Sequence, residues 1–124
     1  MKRLSIGKIR GLQQIANPDG IFTICAMDHR GSLRSMIDEE NPGEVNYEKM
    51  VEHKLELCST LDKYASAMLL DPIFGAAQCI SHSVLPNNTG LLVSIEASGY
   101  SGEKECHLPD YWGGHPRGKG RESI

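Results

Sequence analysis

Three apolar runs of this sequence each end in an acidic residue, and these acids are the first candidates for chemistry. The runs and their acids are 24–27 with Asp28, 67–70 with Asp71, and 91–95 with Glu96. Carboxylates that lie close together either raise each other's pKa or attract a cation, so a shared location would make them reactive. The sequence therefore predicts a strand-end site at these three acids.

The neighbours of each acid indicate different roles. Asp28 is followed directly by His29 and Arg30, and this turn could polarise a hydroxyl and hold an anion, which favours a functional role. Asp71 precedes Pro72, a pair that is typical of a helix start, in which the acid acts as a cap. For Glu96 a capping role and a functional role both stay open.

The segments that must position these acids alternate between helices and strands. The apolar runs lack alternation, which is typical of strands buried on both faces of a parallel sheet. The first of these predicted strands extends from Ile21 to Met27. In such folds the carboxyl ends of the strands share one face, where active sites are built. A (β/α) barrel and a doubly wound sheet both fit this order. The predicted helices are 5–17, a short turn at 32–37, a long helix at about 47–64, and 73–84.

The long helix has an apolar stripe at steps of three and four residues. The lysines of this helix are expected to be exposed, because none of them directly follows a strand end. The stripe consists of Val51, Leu55, Cys58, Leu61 and Ala65, and the lysines are Lys49, Lys54 and Lys63.

Composition narrows the class of protein further. The 124 residues include 13 Lys and Arg against 16 Asp and Glu, a net charge of −3 that disfavours nucleic-acid binding. The sequence has no apolar run of membrane length and no signal-peptide pattern, so we expect a soluble, cytoplasmic chain. The four cysteines form no Cys-x-x-Cys pair, and the histidines lack metal-ligand spacing, so we expect reduced thiols and no metal.

Three segments also carry a family likeness. They read GIFTICAMDHRGSL from Gly20, AMLLDPIFG from Ala67 and TGLLVSIEASGY from Thr89. In order and spacing they resemble the N-terminal part of the tagatose 1,6-bisphosphate aldolases, over roughly residues 8 to 105. The resemblance implies an incomplete (β/α)8 TIM barrel, made of the N-terminal helix and the first three β/α units.

The resemblance also implies an activity in carbohydrate metabolism. Class I aldolases of this kind are lyases that cleave a ketohexose bisphosphate to dihydroxyacetone phosphate and glyceraldehyde 3-phosphate. The ketose forms a Schiff base with a lysine, and no metal or other cofactor takes part. A desolvated lysine suits this step because it loses its proton near neutral pH.

The resemblance assigns residues to substrate binding. Asp28 corresponds to the family's first-strand acid, which contacts substrate near the reacting carbons, and Arg30 matches the same motif. His29 stands where the family usually has Gln, a change that would alter substrate preference or the supply of protons. Asp71 and Glu96 match family positions without an implied catalytic role.

The later part of the sequence departs from the family. The Schiff-base lysine, the acid/base glutamate and the phosphate-binding loops belong to later strands, so we expect a truncated, inactive chain. The likeness ends near Tyr111, and residues 107–124 contain four glycines, two prolines and no helical stripe. We therefore divide the sequence into an aldolase-like part, 1–106, and an irregular tail, 107–124, for which a shifted reading frame is one hypothesis.

Two other functions stay open from the residues alone. One is a non-catalytic module that binds a sugar phosphate or a partner. The other is an enzyme that holds Mg²⁺ among its strand-end carboxylates, which are suitable ligands for a hard cation. Three strands without a fourth leave an open sheet edge, so we also expect self-association.

Overall fold

The computed structural model describes residues 3–95. Within this range lie four α-helices, two short 3₁₀ turns and three strands. In chain order the helices and strands are α1 (Ile6–Ile15), β1 (Ile24–Met27), α2 (Gly31–Ile37), α3 (Tyr47–Leu61), β2 (Ala67–Leu70), α4 (Ala76–Ser81) and β3 (Gly90–Val93); the 3₁₀ turns are Pro42–Glu44 and Asp62–Tyr64.

The three strands form one parallel sheet in the order β1-β2-β3. The register aligns their carboxyl ends, because Met27 pairs with Leu70 and Leu70 pairs with Val93. Helices lie between successive strands, as parallel connections require. The predicted α/β class with a parallel sheet is confirmed.

One face of the sheet is covered by α3 and α4. Alternate strand residues contribute to this core, since successive side chains of a strand point to opposite faces. The buried members are Met27, Met68 and Leu70 from the strands, Cys58 from α3, and Ala76 and Cys79 from α4. A second cluster joins α2 to the first turns of α3; its buried members are Leu33, Val45, Met50 and Phe74.

The amino ends of the strands are fixed by two small residues. The Ser66 hydroxyl donates to the carbonyl oxygen of Ile15 at 2.7 Å and accepts from the Thr23 amide at 2.9 Å, which ties α1 and β1 to β2. Gly90 is buried where β3 begins, and a Cβ there would overlap the carbonyl oxygen of Gln14. Helix α1 therefore packs against β3 at a distance that only glycine allows.

Two strand predictions need correction. The first strand begins at Ile24 rather than Ile21, and it is not buried on both faces: Phe22 is 50% exposed and Ile24 is 41% exposed. Along β1, Cys25 and Met27 pack into the core with α3 and α4, whereas Ile24 and Ala26 point to the other face of the sheet and are exposed. The third strand ends at Val93, two residues earlier than expected.

The helix predicted at 73–84 is also shorter, because its two ends are fixed by local hydrogen bonds. Residues 72–75 form a turn capped by Asp71, so α4 begins only at Ala76. At the other end Ser83 has a φ of 55°, and the amides of Ser83 and Val84 donate to the carbonyls of Ile80 and Cys79. This pattern is the Schellman motif, which ends a helix.

Within the described range, no helix has the length and apolar character needed to span a membrane. Glu96 and the predicted tail, 107–124, lie outside the described residues.

Candidate active site at the carboxyl ends of the strands

Asp28 and Asp71 lie at the same end of the sheet, the one formed by the carboxyl ends of the strands, as the sequence predicted. This end is called the sheet edge below. Each directly follows the last residue of its strand, and those last residues, Met27 and Leu70, are register partners. Beyond β3 the corresponding position is Ser94, whose amide donates to the Leu70 carbonyl at 3.0 Å. In the described residues, Ser94 therefore takes the position after β3 that Asp28 and Asp71 take after their strands, and the prediction for Glu96 stays a prediction.

The turn after β1 presents three half-buried side chains at this edge: Asp28, His29 and Arg30. Helix α2 begins immediately after them, so the three residues are held between a strand and a helix. Partial burial leaves them open to a ligand while their backbone is fixed. An acid, an imidazole and a guanidinium together offer both donors and acceptors to a polyhydroxylated anion.

Asp71, in contrast, is fully buried. Its Oδ1 accepts from the amides of Ile73 at 2.9 Å and Phe74 at 2.7 Å, so the predicted capping role is confirmed for the turn that follows β2. Its Oδ2 lies 3.2 Å from the Nζ of Lys54. A Cβ at Gly75 would come within 3.2 Å of the same Oδ2, so glycine keeps this side of the carboxylate clear.

Lys54 is the functional residue that the sequence prediction missed. It was expected to be exposed, but its side chain has no exposed surface. Its Nζ reaches from α3 to the sheet edge, where it also donates to the carbonyl oxygens of Met27 and of His29, the latter at 2.7 Å. The ammonium therefore joins the end of β1 to the end of β2.

The helix geometry explains the position of Lys54. The buried residues of α3 are Met50, Lys54 and Cys58, which are spaced by four residues and so lie on one face. This spacing was visible in the sequence. It was missed because the stripe was drawn through apolar residues only, and a lysine on the buried face needs a carboxylate that only the fold brings to it.

Burial and charge shift the proton affinities of this cluster. Burial lowers the pKa of Lys54, although the adjacent Asp71 carboxylate opposes the shift. Burial and the Lys54 charge lower the pKa of His29, against the opposing effects of Asp28 and Asp71. Because the ordinary pKa of histidine is about 6.5, His29 is mainly neutral at pH 7.

Two thiols lie in the core beside the ion pair. Cys58 and Cys79 are both without exposed surface, which confirms their predicted role as core residues. A hydrogen bond between them raises the pKa of Cys58, together with burial, and lowers the pKa of Cys79. Both thiols are members of the core cluster between the sheet and its helices, so they belong to the packing.

Among residues 3–95, no three histidine, cysteine or acidic side chains are grouped closely enough to hold a metal ion. Asp71 is occupied by two amides and an ammonium, which leaves Asp28 as the open strand-end carboxylate in this range. Glu96 lies outside the described residues, so a cation site that includes it stays an untested alternative.

A parallel sheet with a charged cluster at the carboxyl ends of its strands is the arrangement of α/β enzymes. No protein-family model matches this chain. Curated proteins do match it. The chain is 34% identical over 110 residues to a tagatose 1,6-diphosphate aldolase of Listeria monocytogenes, and the aligned region covers 89% of the chain and 31% of the relative. A tagatose 1,6-diphosphate aldolase of Staphylococcus haemolyticus is 32% identical over 103 residues, or 83% of the chain and 31% of the relative.

The family resemblance is thereby confirmed: the chain is a homologue of the tagatose 1,6-bisphosphate aldolases. A third relative, tagatose 1,6-diphosphate aldolase 2 of Streptococcus agalactiae, gives the same 32% over 103 residues. The chain spans about a third of the length of these curated relatives. This coverage is consistent with an N-terminal portion of the family's proteins.

Proposed function

We propose that this chain provides the substrate-binding N-terminal portion of a class I aldolase built on a (β/α)8 barrel. The substrate would be a ketohexose bisphosphate such as tagatose 1,6-bisphosphate. The observation that carries the proposal is the open turn at the carboxyl end of β1, Asp28 to Arg30, in a chain homologous to these aldolases.

Each residue of this turn has a chemical task in the proposal. Asp28 accepts hydrogen bonds from hydroxyls next to the carbon–carbon bond that breaks. His29, which is mainly neutral because burial and Lys54 lower its pKa, can either donate to or accept from a hydroxyl or carbonyl oxygen. Arg30 offers the donors that suit a phosphate or another oxyanion.

The Schiff-base lysine is a separate matter, and the geometry argues against Lys54. A lysine attacks a carbonyl only as a neutral amine with access to it. Lys54 has no exposed surface, and its ammonium is held by hydrogen bonds to the carbonyls of Met27 and His29 and by the ion pair with Asp71. We therefore propose that the reacting lysine comes from outside residues 3–95, and that these residues alone bind substrate without cleaving it.

The experiment is a calorimetric titration of the full chain with dihydroxyacetone phosphate and with tagatose 1,6-bisphosphate. We expect binding that Asp28→Asn weakens by roughly tenfold or more, the effect of losing a hydrogen bond to a charged group. Glu39→Gln, which changes an exposed acid in the loop after α2, is the control and should leave binding unchanged. Absence of binding, or equal weakening by both variants, would overturn the proposal.

A second arm tests the covalent step. The chain is incubated with dihydroxyacetone phosphate and borohydride, which reduces any Schiff base to a stable amine, and is then mapped by mass spectrometry. We expect no adduct on a lysine within residues 3–95. An adduct on Lys54 would show that the ion pair opens and that our assignment of the nucleophile is wrong.

A non-catalytic module that binds sugar phosphates is the second candidate function. It is favoured by the same observation that excludes Lys54 as the nucleophile. An adduct on a lysine of this chain outside residues 3–95 would favour the aldolase over the module. Binding at Asp28 without any adduct is expected of the module and also of an aldolase portion whose reacting lysine belongs to later strands.

A further inference from the structure

Lys54 contacts the backbone on both sides of Asp28. Its ammonium donates to the carbonyl of Met27, the residue before Asp28, and to the carbonyl of His29, the residue after it. The third partner is the Asp71 carboxylate at the end of β2. The buried Lys54 ammonium thus holds the turn that contains Asp28 and connects this turn to the end of β2.

The number and kind of contacts favour a geometric role. The ammonium donates two hydrogen bonds, both to carbonyls of the turn, and its charge is balanced by the Asp71 carboxylate 3.2 Å away. A buried ion pair adds little net stability compared with an apolar pair of similar volume, because removing two charges from water is costly. Packing alone would be served by an apolar residue between Met50 and Cys58, but such a residue would leave both carbonyls of the turn unpaired.

We propose that Lys54 is a positioning residue that fixes the Asp28–His29 turn against the end of β2 and so sets the direction of both side chains. The claim that these side chains bind a sugar phosphate rests on the proposed function. The claim that Lys54 fixes the turn is independent of the proposed function and can be tested without a ligand.

His29 provides a reporter for this geometry. The charged groups that face it are Lys54 from α3, Asp71 from the end of β2 and Asp28 from its own turn. Lys54 lowers the pKa of His29 more strongly than Asp71 raises it. The His29 pKa should therefore differ in a fixed order among variants that remove one or both of these charges. An unchanged titration in a folded variant would show that Lys54 does not face this turn.

The experiment is an NMR study of the full chain without ligand. Three variants are compared with the parent chain: Lys54→Met, Lys54→Met combined with Asp71→Asn, and the control Lys49→Met. Lys49 is exposed on the same helix, so its variant controls for loss of a lysine from α3. The double variant has no unpaired buried charge and decides the test if the single variant fails to fold.

We expect the amides of residues 28–30 to exchange roughly tenfold faster or more in both Lys54 variants, which is the effect of one lost hydrogen bond to a charged group. The turn should exchange by local opening, with rates that depend little on urea, whereas the buried amides of β2 report the loss of global stability. The His29 pKa should be lowest in the parent chain, higher in the double variant and highest in Lys54→Met. In Lys49→Met it should equal that of the parent chain.

The positioning role would be overturned if residues 28–30 of both Lys54 variants exchanged only through global unfolding, with the same urea dependence as β2. An unchanged His29 titration in the folded double variant would overturn it as well. Failure of the proposed function would instead appear as absent sugar-phosphate binding and would leave these ligand-free measurements as they are.

Discussion

Replacing Lys54 by methionine should remove a large share of the stability of this fold. The variant keeps the length of the side chain but leaves the buried Asp71 carboxylate without its cation and two carbonyl oxygens without their donor. Removing one partner of a buried pair typically costs about 3–5 kcal/mol. The lost hydrogen bonds overlap with that figure, so we expect a total loss of about 3–5 kcal/mol for Lys54→Met.

Two further variants separate the ion pair from other effects of the substitution. Lys49→Met should change stability by less than about 0.5 kcal/mol, because Lys49 is exposed. Adding Asp71→Asn to Lys54→Met should restore about 1–3 kcal/mol, since the unpaired charge is removed while Oδ1 still accepts from the Ile73 and Phe74 amides.

Urea unfolding followed by circular dichroism at pH 7 measures these differences, provided that the slope m stays the same. A loss below about 1 kcal/mol for Lys54→Met, where a disrupted buried pair should cost several, would refute the reasoning. So would a double variant that is less stable than Lys54→Met.

The pH dependence gives an independent check on the same residue. Because burial lowers the pKa of Lys54 in the folded state, the unfolded chain binds more protons than the folded chain between that lowered value and a lysine's ordinary value of about 10.4. Stability linked to Lys54 therefore increases as the pH rises through this window. The difference between the parent chain and Lys54→Met should widen with pH there, and a difference that narrows would contradict the burial of the ammonium.

Three other predictions concern the fold and the turn. Gly90→Ala should destabilise the chain by about 1–3 kcal/mol through overlap with α1, whereas Gly11→Ala, which has open space inside the helix, should stabilise it by up to about 1 kcal/mol; thermal unfolding compares them. Because burial lowers the pKa of His29, the folded chain binds fewer protons than the unfolded chain just below pH 6.5, so stability should fall as the pH drops there; His29→Gln should flatten this fall in urea unfolding at pH 7.5 and 5.5. Tyr47→Phe removes the hydroxyl that accepts from Gln78 and donates to the Ile73 carbonyl, and should cost about 0.5–1.5 kcal/mol, while the exposed Tyr64→Phe should cost almost nothing in the same assay.

The sequence was most informative where a local signal and the fold agree. Strand β2 was predicted at its observed bounds, Ala67–Leu70, because a continuous apolar run ends at an acid that caps the next turn. The common edge of Asp28 and Asp71 followed from parallel pairing alone. The family likeness of the three segments is supported by the curated relatives.

The errors arise where tertiary contacts decide. Burial of Ile21–Ile24 depends on what covers the second face of the sheet, and the sequence does not show that. The end of α4 depends on the left-handed backbone at Ser83. A glycine at this position would have predicted the helix end, but a serine does not. Lys54 was misplaced because residue type suggested solvent, whereas its partner Asp71 lies 17 positions later in the chain and meets it only in the folded state.

The most direct test of the proposed substrate site is an NMR titration of the full chain with dihydroxyacetone phosphate, in which backbone amide shifts locate the bound ligand. We expect the shifts to be concentrated at residues 28–31 and at the end of β2, to saturate, and to disappear in Asp28→Asn while persisting in Glu39→Gln. Shifts concentrated instead at the opposite end of the sheet, in the cleft beside Asn17 and Ser66, or no shifts at all, would contradict the proposed site.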